Sequence, residues 1–421
     1  MRISIFGTGY VGAVTGICFA DLGYHIIFTD VDESKLKIIN QGKSPVYESG
    51  LQTLLEKNRQ KISTTQYALE AVLQSDMSFI CVGTPSNEDG SIDLQFIKEV
   101  SRTLGAAIAK KNSPHIVVVK STVIPGTIED VVQPLIKMES QKKANIDFFI
   151  VSNPEFLREG KAVYDFFNPD RIIIGTDDSI SASIIAQLYS SLNCPKMFTS
   201  IRTAEMIKYV NNAFLATKIS FANEIGNVCK KAGIDSYEIF KGIGLDSRIN
   251  PQFFRSGIGF GGSCFPKDIR ALIAYSKEKG IRPRILEAVL ETNQDQPEKL
   301  IFLLKRHIAI KEKKIGILGL AFKPETDDIR ESRAITVIHH LLAEGARIVA
   351  FDPIAMDNFR KIFPNIEYAD IPDVVLQSDA ILIITEWPEF ENLDYDGKIV
   401  IDGRNIKNAQ KNAKIYEGVC W

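Results

Sequence analysis

Short apolar runs of four or five residues recur along the chain, each closed by glycine, a small hydroxyl residue or an acid, with longer mixed stretches between them. That alternation predicts parallel strands joined by crossover helices. The first run, Arg2-Ile3-Ser4-Ile5-Phe6, passes through Gly7-Thr8-Gly9-Tyr10-Val11-Gly12 into a stretch that reads as an amphipathic helix running through Phe19, Ala20 and Leu22. His25-Ile26-Ile27-Phe28-Thr29 follows and ends at Asp30. Ser78 to Val82 stops at Gly83-Thr84-Pro85-Ser86, and Ile116 to Lys120 stops at Ser121-Thr122. Asp147 to Val151 leads into Ser152-Asn153-Pro154-Glu155-Phe156-Leu157-Arg158-Glu159-Gly160, and a helix after Pro154 would place Glu155 and Glu159 on one face. From about Thr203 to Lys231 the spacing predicts one long helix, the kind that joins domains or forms a dimer seam.

Beyond the charged segment Lys311-Glu312-Lys313-Lys314 the pattern repeats weakly. Ile315 to Gly319 echoes the first strand and turn, and Ile348 to Phe351 ends at Asp352 as the second strand ended at Asp30. Ser378-Asp379 before the run Ala380 to Thr385 mirrors Ser75-Asp76 before Met77 to Val82. The expected fold is therefore α/β, with two Rossmann-like doubly wound parallel-sheet domains joined by a long central helix. The expected boundaries are 1–198, 199–300 and 301–421. The second copy lacks the full glycine fingerprint and need not hold a second dinucleotide.

Length and composition narrow the classes. A chain of 421 residues exceeds one ordinary core, and 45% hydrophobic with 24% charged residues fits a globular enzyme. The net charge of −2 argues against nucleic-acid or membrane-surface partners held by bulk charge. Six scattered cysteines signal neither a disulfide framework nor a zinc site, and five histidines form no ligand pattern, so no metal is expected. The opening run reads as a strand, not a signal peptide, and no apolar stretch reaches membrane-spanning length; a cytoplasmic enzyme is the expectation.

The glycine fingerprint stands in its strand-turn-helix setting. Gly7 allows the tight turn, Gly9 lets a pyrophosphate approach, and Gly12 lets helix pack on strand. Asp30 at the end of the second strand suits a ribose with free hydroxyls, which favours NAD over NADP.

A thiol carries the remaining chemistry. Cys264 ends the loop Gly259-Phe260-Gly261-Gly262-Ser263 and precedes Phe265-Pro266-Lys267-Asp268. Glycines there fit a loop that a ligand approaches, Lys267 helps hold negative charge, and Asp268 can act as base or orient water. With a hydride acceptor in the same chain, the pairing points to oxidation past the aldehyde. Lys208 and Asn212, one turn apart on the long helix, could face one substrate or simply solvent. Lys323, Arg330 and Arg404, near strand ends of the second copy, could meet phosphates or be surface cations.

These segments resemble the UDP-glucose 6-dehydrogenases, within the wider nucleotide-sugar dehydrogenases, over essentially the whole length. The most specific are GFGGSCFPKD at 259–268, NPEFLREG at 153–160, AEMIKYVNNAF at 204–214 and GLAFKPETDDIRES at 319–332. Two departures, Ser49 where proline is common and Lys35 where some relatives have arginine, lie away from the chemistry.

The resemblance implies an NAD domain, a dimerising central helix and a C-terminal domain for the UDP portion. It implies Cys264 as nucleophile, Lys208 and Asn212 as oxyanion holders, and Asp268, Glu155 and Thr122 as placing protons and water. Gly7, Gly9, Tyr10, Val11, Gly12, Asp30, Lys35, Thr84, Thr122, Glu159, Lys267 and Arg330 fall on cofactor positions. Glu155, Phe156, Leu157, Arg158, Glu159, Lys208, Asn212, the stretch Phe253-Phe254-Arg255-Ser256-Gly257, Gly261 and Lys323 fall on substrate positions. Arg248, from a neighbouring subunit, and Arg404 match residues that approach the nucleotide sugar.

The implied reaction is a four-electron oxidation of UDP-glucose to UDP-glucuronate through a Cys264 thiohemiacetal and thioester, in a homodimer. GDP-mannose and UDP-N-acetylhexosamine are the alternative substrates, ranked lower on the run from Val163 to Ile172. A catalytically silent NAD-sensing scaffold is the alternative from another class, and it leaves the filled thiol, lysine and acid positions unexplained.

Overall fold

Ile3 and Ile5 point to one face of the first strand and Phe6 to the other, and each face meets its own apolar cluster. The same alternation holds at Ile26 and Phe28 against Ile27, and at Ile116 and Val118 against Val117 and Val119. Strands buried on both faces read as continuous apolar runs, which is why they stand out in the sequence. The computed structural model describes Met1–Trp421, divided into two units, Met1–Asn211 and Asn212–Trp421.

In the first unit the strands are β1 (Arg2–Phe6), β2 (His25–Thr29), β3 (Ile62–Thr64), β4 (Met77–Ile80), β5 (His115–Val119), β6 (Phe148–Ser152), β7 (Ile172–Gly175) and β8 (Lys196–Thr199). They lie in the order β3-β2-β1-β4-β5-β6-β7-β8. The first six are parallel in the doubly wound order, whose reversal beside β1 leaves a crevice at the carboxyl ends. The pair β7-β8, parallel within itself, joins β6 antiparallel through Ser152 and Gly175, so the sheet is mixed at that junction.

The helix Tyr10–Asp21 departs from the amphipathic expectation. Every residue from Gly12 to Ala20 is buried, because the helix is covered by β1, β2 and the helices Leu51–Lys57 and Ala162–Phe167. A polar seam also crosses this core. Lys111 Nζ donates to His115 Nδ1 at 2.8 Å, His115 Nε2 meets Ser78 Oγ at 2.8 Å, and Ser78 meets Ser4 at 2.7 Å.

The second unit holds β9 (Lys314–Leu318), β10 (Arg347–Phe351), β11 (Glu367–Tyr368), β12 (Ala380–Ile383), β13 (Ile399–Asp402) and β14 (Ile415–Gly418). Their order, β11-β10-β9-β12-β13-β14, repeats that of the first six strands, all parallel. Ile315 and Ile317 face one cluster and Leu318 the other. The duplication seen in sequence is thus a duplication of topology. The long helix runs Ile201–Ala232, starting in the first unit and ending in the second.

Candidate active site

At the carboxyl end of β1 the backbone does what the glycine pattern requires. Gly7 has φ +97°, and a Cβ on Gly12 would lie 1.9 Å from the Gly7 carbonyl oxygen, so only glycine lets the helix start so close to the turn. Open space surrounds the position a Gly9 Cβ would take, and Gly9 gives the helix Tyr10–Asp21 no side-chain cap. Its first-turn N–H groups therefore face the crevice, where a pyrophosphate would sit. Asp30 is held at the end of β2 by Thr8, whose N–H and Oγ1 both reach Asp30 Oδ2, at 2.5 and 2.6 Å. These residues fit NAD: Gly7, Gly9 and Gly12 would admit the phosphates and Asp30 the ribose. Thr84 is buried just past β4, and Lys35 lies 3.9 Å from Asp32.

The second copy lacks this opening. Asp352, placed like Asp30, accepts from the N–H groups of Leu320, Ala321, Ile354 and Ala355 and from Trp387 Nε1. Asp352 thus holds five donors of the fold, where Asp30 holds three, two from Thr8 and the Asp32 N–H.

Past β6 the chain from Asn153 to Arg158 has no regular structure, so the expected helix and its shared Glu155–Glu159 face do not form. Glu155 instead folds back on its own segment, accepting the Leu157 N–H on Oε2 at 2.5 Å. Its Oε1 pairs with Lys208 Nζ at 2.9 Å, and both side chains are buried. Lys208 also lies 5.3 Å from the centre of the Phe156 ring, whose face carries Arg171 at 3.9 Å. The long helix therefore turns its lysine inward, not to solvent. Arg158 grips Asp165 through its backbone N–H, Nε and Nη2, which fixes the segment and occupies the guanidinium.

Two residues that sequence reasoning missed complete this end. Lys120, buried after β5, donates to the Asn153 side-chain oxygen at 3.1 Å and carbonyl oxygen at 3.3 Å. Burial pushes it down to about 8, Lys208 adds to the shift, and Cys81 and Glu155 oppose it. Glu48 accepts the N–H groups of Gly160 and Ala162, each at 2.8 Å, and the Tyr10 hydroxyl. Burial first, and Glu48 second, hold Tyr10 protonated well above the usual tyrosine range. Glu159, beside this knot, adds to that effect.

In the second unit Cys264 is the exposed N-cap of the helix Phe265–Glu278. In the first turn there Pro266 has no N–H and the Asp268 N–H bonds the Cys264 carbonyl, so Phe265 and Lys267 are the residues whose N–H groups can face a negative charge on sulfur. One turn on, buried Asp268 accepts Asn212 Nδ2 at 2.7 Å on one oxygen and Lys267 Nζ at 2.6 Å on the other. The approach to Cys264 is fixed from outside its own sequence. Asn223 accepts the Gly257 N–H at 2.8 Å, Gln296 donates to the Gly257 carbonyl at 2.5 Å, and Asn293 makes paired bonds with Phe260. A Cβ on Gly261 would lie 2.2 Å from the Glu331 carbonyl oxygen. Asn223, Asn293 and Gln296 carry no motif, and nothing local in the sequence points to them.

The remaining expected residues fall around this loop or away from it. Phe253 sits at φ +69°, and Phe254 stacks on Phe240 at 5.3 Å. Ser256 is buried against Ser236 and Tyr237. Arg255 pairs with Glu386 at 3.1 Å, and Arg404 donates to the carbonyls of Ile384 and Gly259. Lys323 Nζ is 5.7 Å from the Phe322 ring, and exposed Arg330 pairs with Asp328. Arg248 pairs with its neighbour Asp246 at the surface. No helix is long and apolar enough to cross a membrane.

Two units of one doubly wound order, the first with an open glycine crevice and the second with a thiol at a helix start, define a nucleotide-dependent dehydrogenase. The chain belongs to the UDP-glucose/GDP-mannose dehydrogenase family. That family's NAD binding domain matches residues 1–193, its central domain 202–295 and its UDP binding domain 316–409. The chain is 45% identical over 419 residues to the UDP-glucose 6-dehydrogenase AglM of Haloferax volcanii, covering 96% of this chain and 97% of that one. It is 39% identical to the GDP-mannose 6-dehydrogenase of Pseudomonas aeruginosa, covering both chains fully. The solved UDP-glucose dehydrogenase of Pyrobaculum islandicum superposes with a TM-score of 0.96 at 44% identity, covering 100% of this chain and 98% of that one.

Proposed function

We propose that this enzyme oxidises UDP-glucose to UDP-glucuronate in two successive NAD-dependent steps, with Cys264 as the covalent anchor. The observation that carries the reading is Cys264 at a helix start, one turn before a carboxylate held by Asn212 and Lys267. NAD, when bound, accepts one hydride from the sugar C6 in each oxidation. The Lys208 ammonium, paired with Glu155, relays the proton of the 6-hydroxyl to Glu155 or to water as the first hydride leaves. The Cys264 sulfur then adds to the aldehyde carbon, forming a C–S bond and a thiohemiacetal whose oxygen is held by Lys208 and Asn212. Loss of the second hydride leaves a thioester. Water, deprotonated by Asp268 with Glu155 and Thr122 helping to place it, breaks the C–S bond and releases the carboxylate and the thiol. The covalent stage keeps the reactive aldehyde from escaping.

The substrate is assigned to UDP-glucose because both UDP-glucose enzymes named above are more similar than the GDP-mannose enzyme. Arg404, Lys323 and Arg255 are assigned to the nucleotide sugar, and Arg248 to a neighbouring copy's site. A second copy of this chain is assigned to the exposed stripe Val210, Phe214, Phe221 and Val228, whose spacing keeps one face of the long helix. The enzyme is placed in the cytoplasm, where six thiols outside any disulfide are stable.

The test is a panel of UDP-glucose, GDP-mannose and UDP-N-acetyl sugars with NAD, counting NADH per sugar. Two NADH per UDP-glucose, with slower turnover of the others, is expected. Faster turnover of GDP-mannose would reassign the substrate, and no NADH from any sugar would remove the enzymatic reading.

A further inference from the structure

Glu205 occupies a place in the first unit that the chemistry above does not use. It lies on the long helix one turn before Lys208 and is 3% exposed. Its two oxygens accept two different backbone N–H groups, Oε2 that of Gly126 at 2.7 Å and Oε1 that of Ile128 at 2.9 Å. Both donors belong to the segment that follows Thr122. On the other side of Thr122, Ser121 donates through its N–H to the Ile80 carbonyl at 3.0 Å and through Oγ to the Val82 carbonyl at 2.6 Å. Thr122 thus sits in a short loop pinned at one end by the β4 terminus and at the other by a carboxylate on the helix of Lys208.

The pinned end is an irregular piece of chain. Gly126 has φ +97°, and residues Ile128–Val132 form a single π-helical turn, a geometry often kept where function needs it. The charged groups that act on Glu205 are Arg202 from its own helix and Glu129 from the π-turn. Arg202 is shared, with Nε on Glu129 and Nη2 on Asp130 at 2.9 Å. Burial most of all, with Glu129 adding and the two N–H bonds and Arg202 opposing, pushes Glu205 up to about 7. A proton on either oxygen takes an acceptor from one of the two N–H groups.

We propose that Glu205 is a positioning residue, tying the Thr122 loop to the helix that carries Lys208 and so setting Thr122 for the reaction. Protonation releases one tether and loosens the loop, which gives turnover an acid limb that belongs to Glu205. The consequence for turnover rests on the function proposed above; the tether does not.

The test pairs hydrogen exchange with kinetics on Glu205→Gln, which keeps the side chain's shape but offers one acceptor and no titration. Exchange over residues 121–132 is expected to quicken about tenfold, the scale of one lost hydrogen bond, with β1 and β2 unchanged. In the wild type the same segment is expected to exchange faster at pH 6 than at pH 8 once intrinsic rates are divided out, a comparison that needs no variant to fold. With UDP-glucose and NAD, kcat of Glu205→Gln falls about tenfold, KM for the sugar holds within about twofold, and the acid limb near pH 7 disappears. Unchanged exchange over 121–132, both in the variant and between the two pH values, would overturn the tether, whatever the wild type oxidises. Faster exchange with unchanged kcat and pH profile would overturn the positioning role. A wild type that turns over no nucleotide sugar would overturn the proposed function, and exchange alone would then decide the tether.

Discussion

The Asn212 side-chain amide donates to Asp268 Oδ2 at 2.7 Å, one helical turn past the exposed thiol of Cys264. With Lys267 on Oδ1, both oxygens of a buried carboxylate are engaged, which holds it as an acceptor. In the proposed reaction this fixed carboxylate is the group that takes a proton from water.

Asp268→Asn keeps the shape and removes the base. Turnover is expected to fall at least ~100-fold, the usual worth of a positioned base, while formation of the covalent stage survives. Intact-mass measurement after mixing with UDP-glucose and NAD should then show a sugar nucleotide attached to the chain. Wild-type turnover without an adduct would remove Asp268 from the hydrolytic step.

The buried Lys208–Glu155 pair makes a second prediction. Removing one partner leaves an uncompensated buried charge, so Lys208→Met is expected to cost about 3–5 kcal/mol in urea unfolding. Lys208→Met with Glu155→Gln should recover most of that stability but none of the activity, since loss of an oxyanion donor costs ~100-fold or more. Stability of the double variant no better than that of the single would show that the two charges do not compensate each other.

The polar seam at the amino end of the first sheet should govern acid stability. Lys111 donates to His115 Nδ1, leaving Nε2 to donate to Ser78, so the ring is buried neutral. Burial, with Lys111 second, pushes His115 down to about 3. Its unfolded value is about 6.5, so the unfolded chain binds the extra proton first as pH falls. This contribution is complete above about pH 6.5 and is lost progressively as pH falls from there towards 3. His115→Gln should flatten the fall of unfolding free energy over that window. An unchanged slope would mean that other groups control it.

What was legible in the sequence was what depends on neighbours along the chain. The strands β1, β2, β4, β5 and β6 were visible because parallel strands bury both faces, and Gly7 to Gly12 because a tight turn leaves no choice of residue. Cys264 announced itself through the glycines before it. The Asn153–Arg158 segment misled because i, i+4 spacing assumes a helix, whereas Glu155 bonds the backbone two residues on. The first helix misled because its Gly12-to-Ala20 stretch is covered all round. Lys120, Glu48, Asn293 and Glu205 were silent because each acts on chain far from it in sequence, which local pattern cannot register.

The proposed reaction depends on one sulfur that carries the sugar between two oxidations. The direct measurement is the number of NADH released per UDP-glucose, and at what rate, by the wild type and by Cys264→Ser under identical conditions. Two per sugar are expected from the wild type, and from Cys264→Ser a slow first oxidation that stops short of free UDP-glucuronate. Two per sugar at the wild-type rate from Cys264→Ser would contradict that dependence.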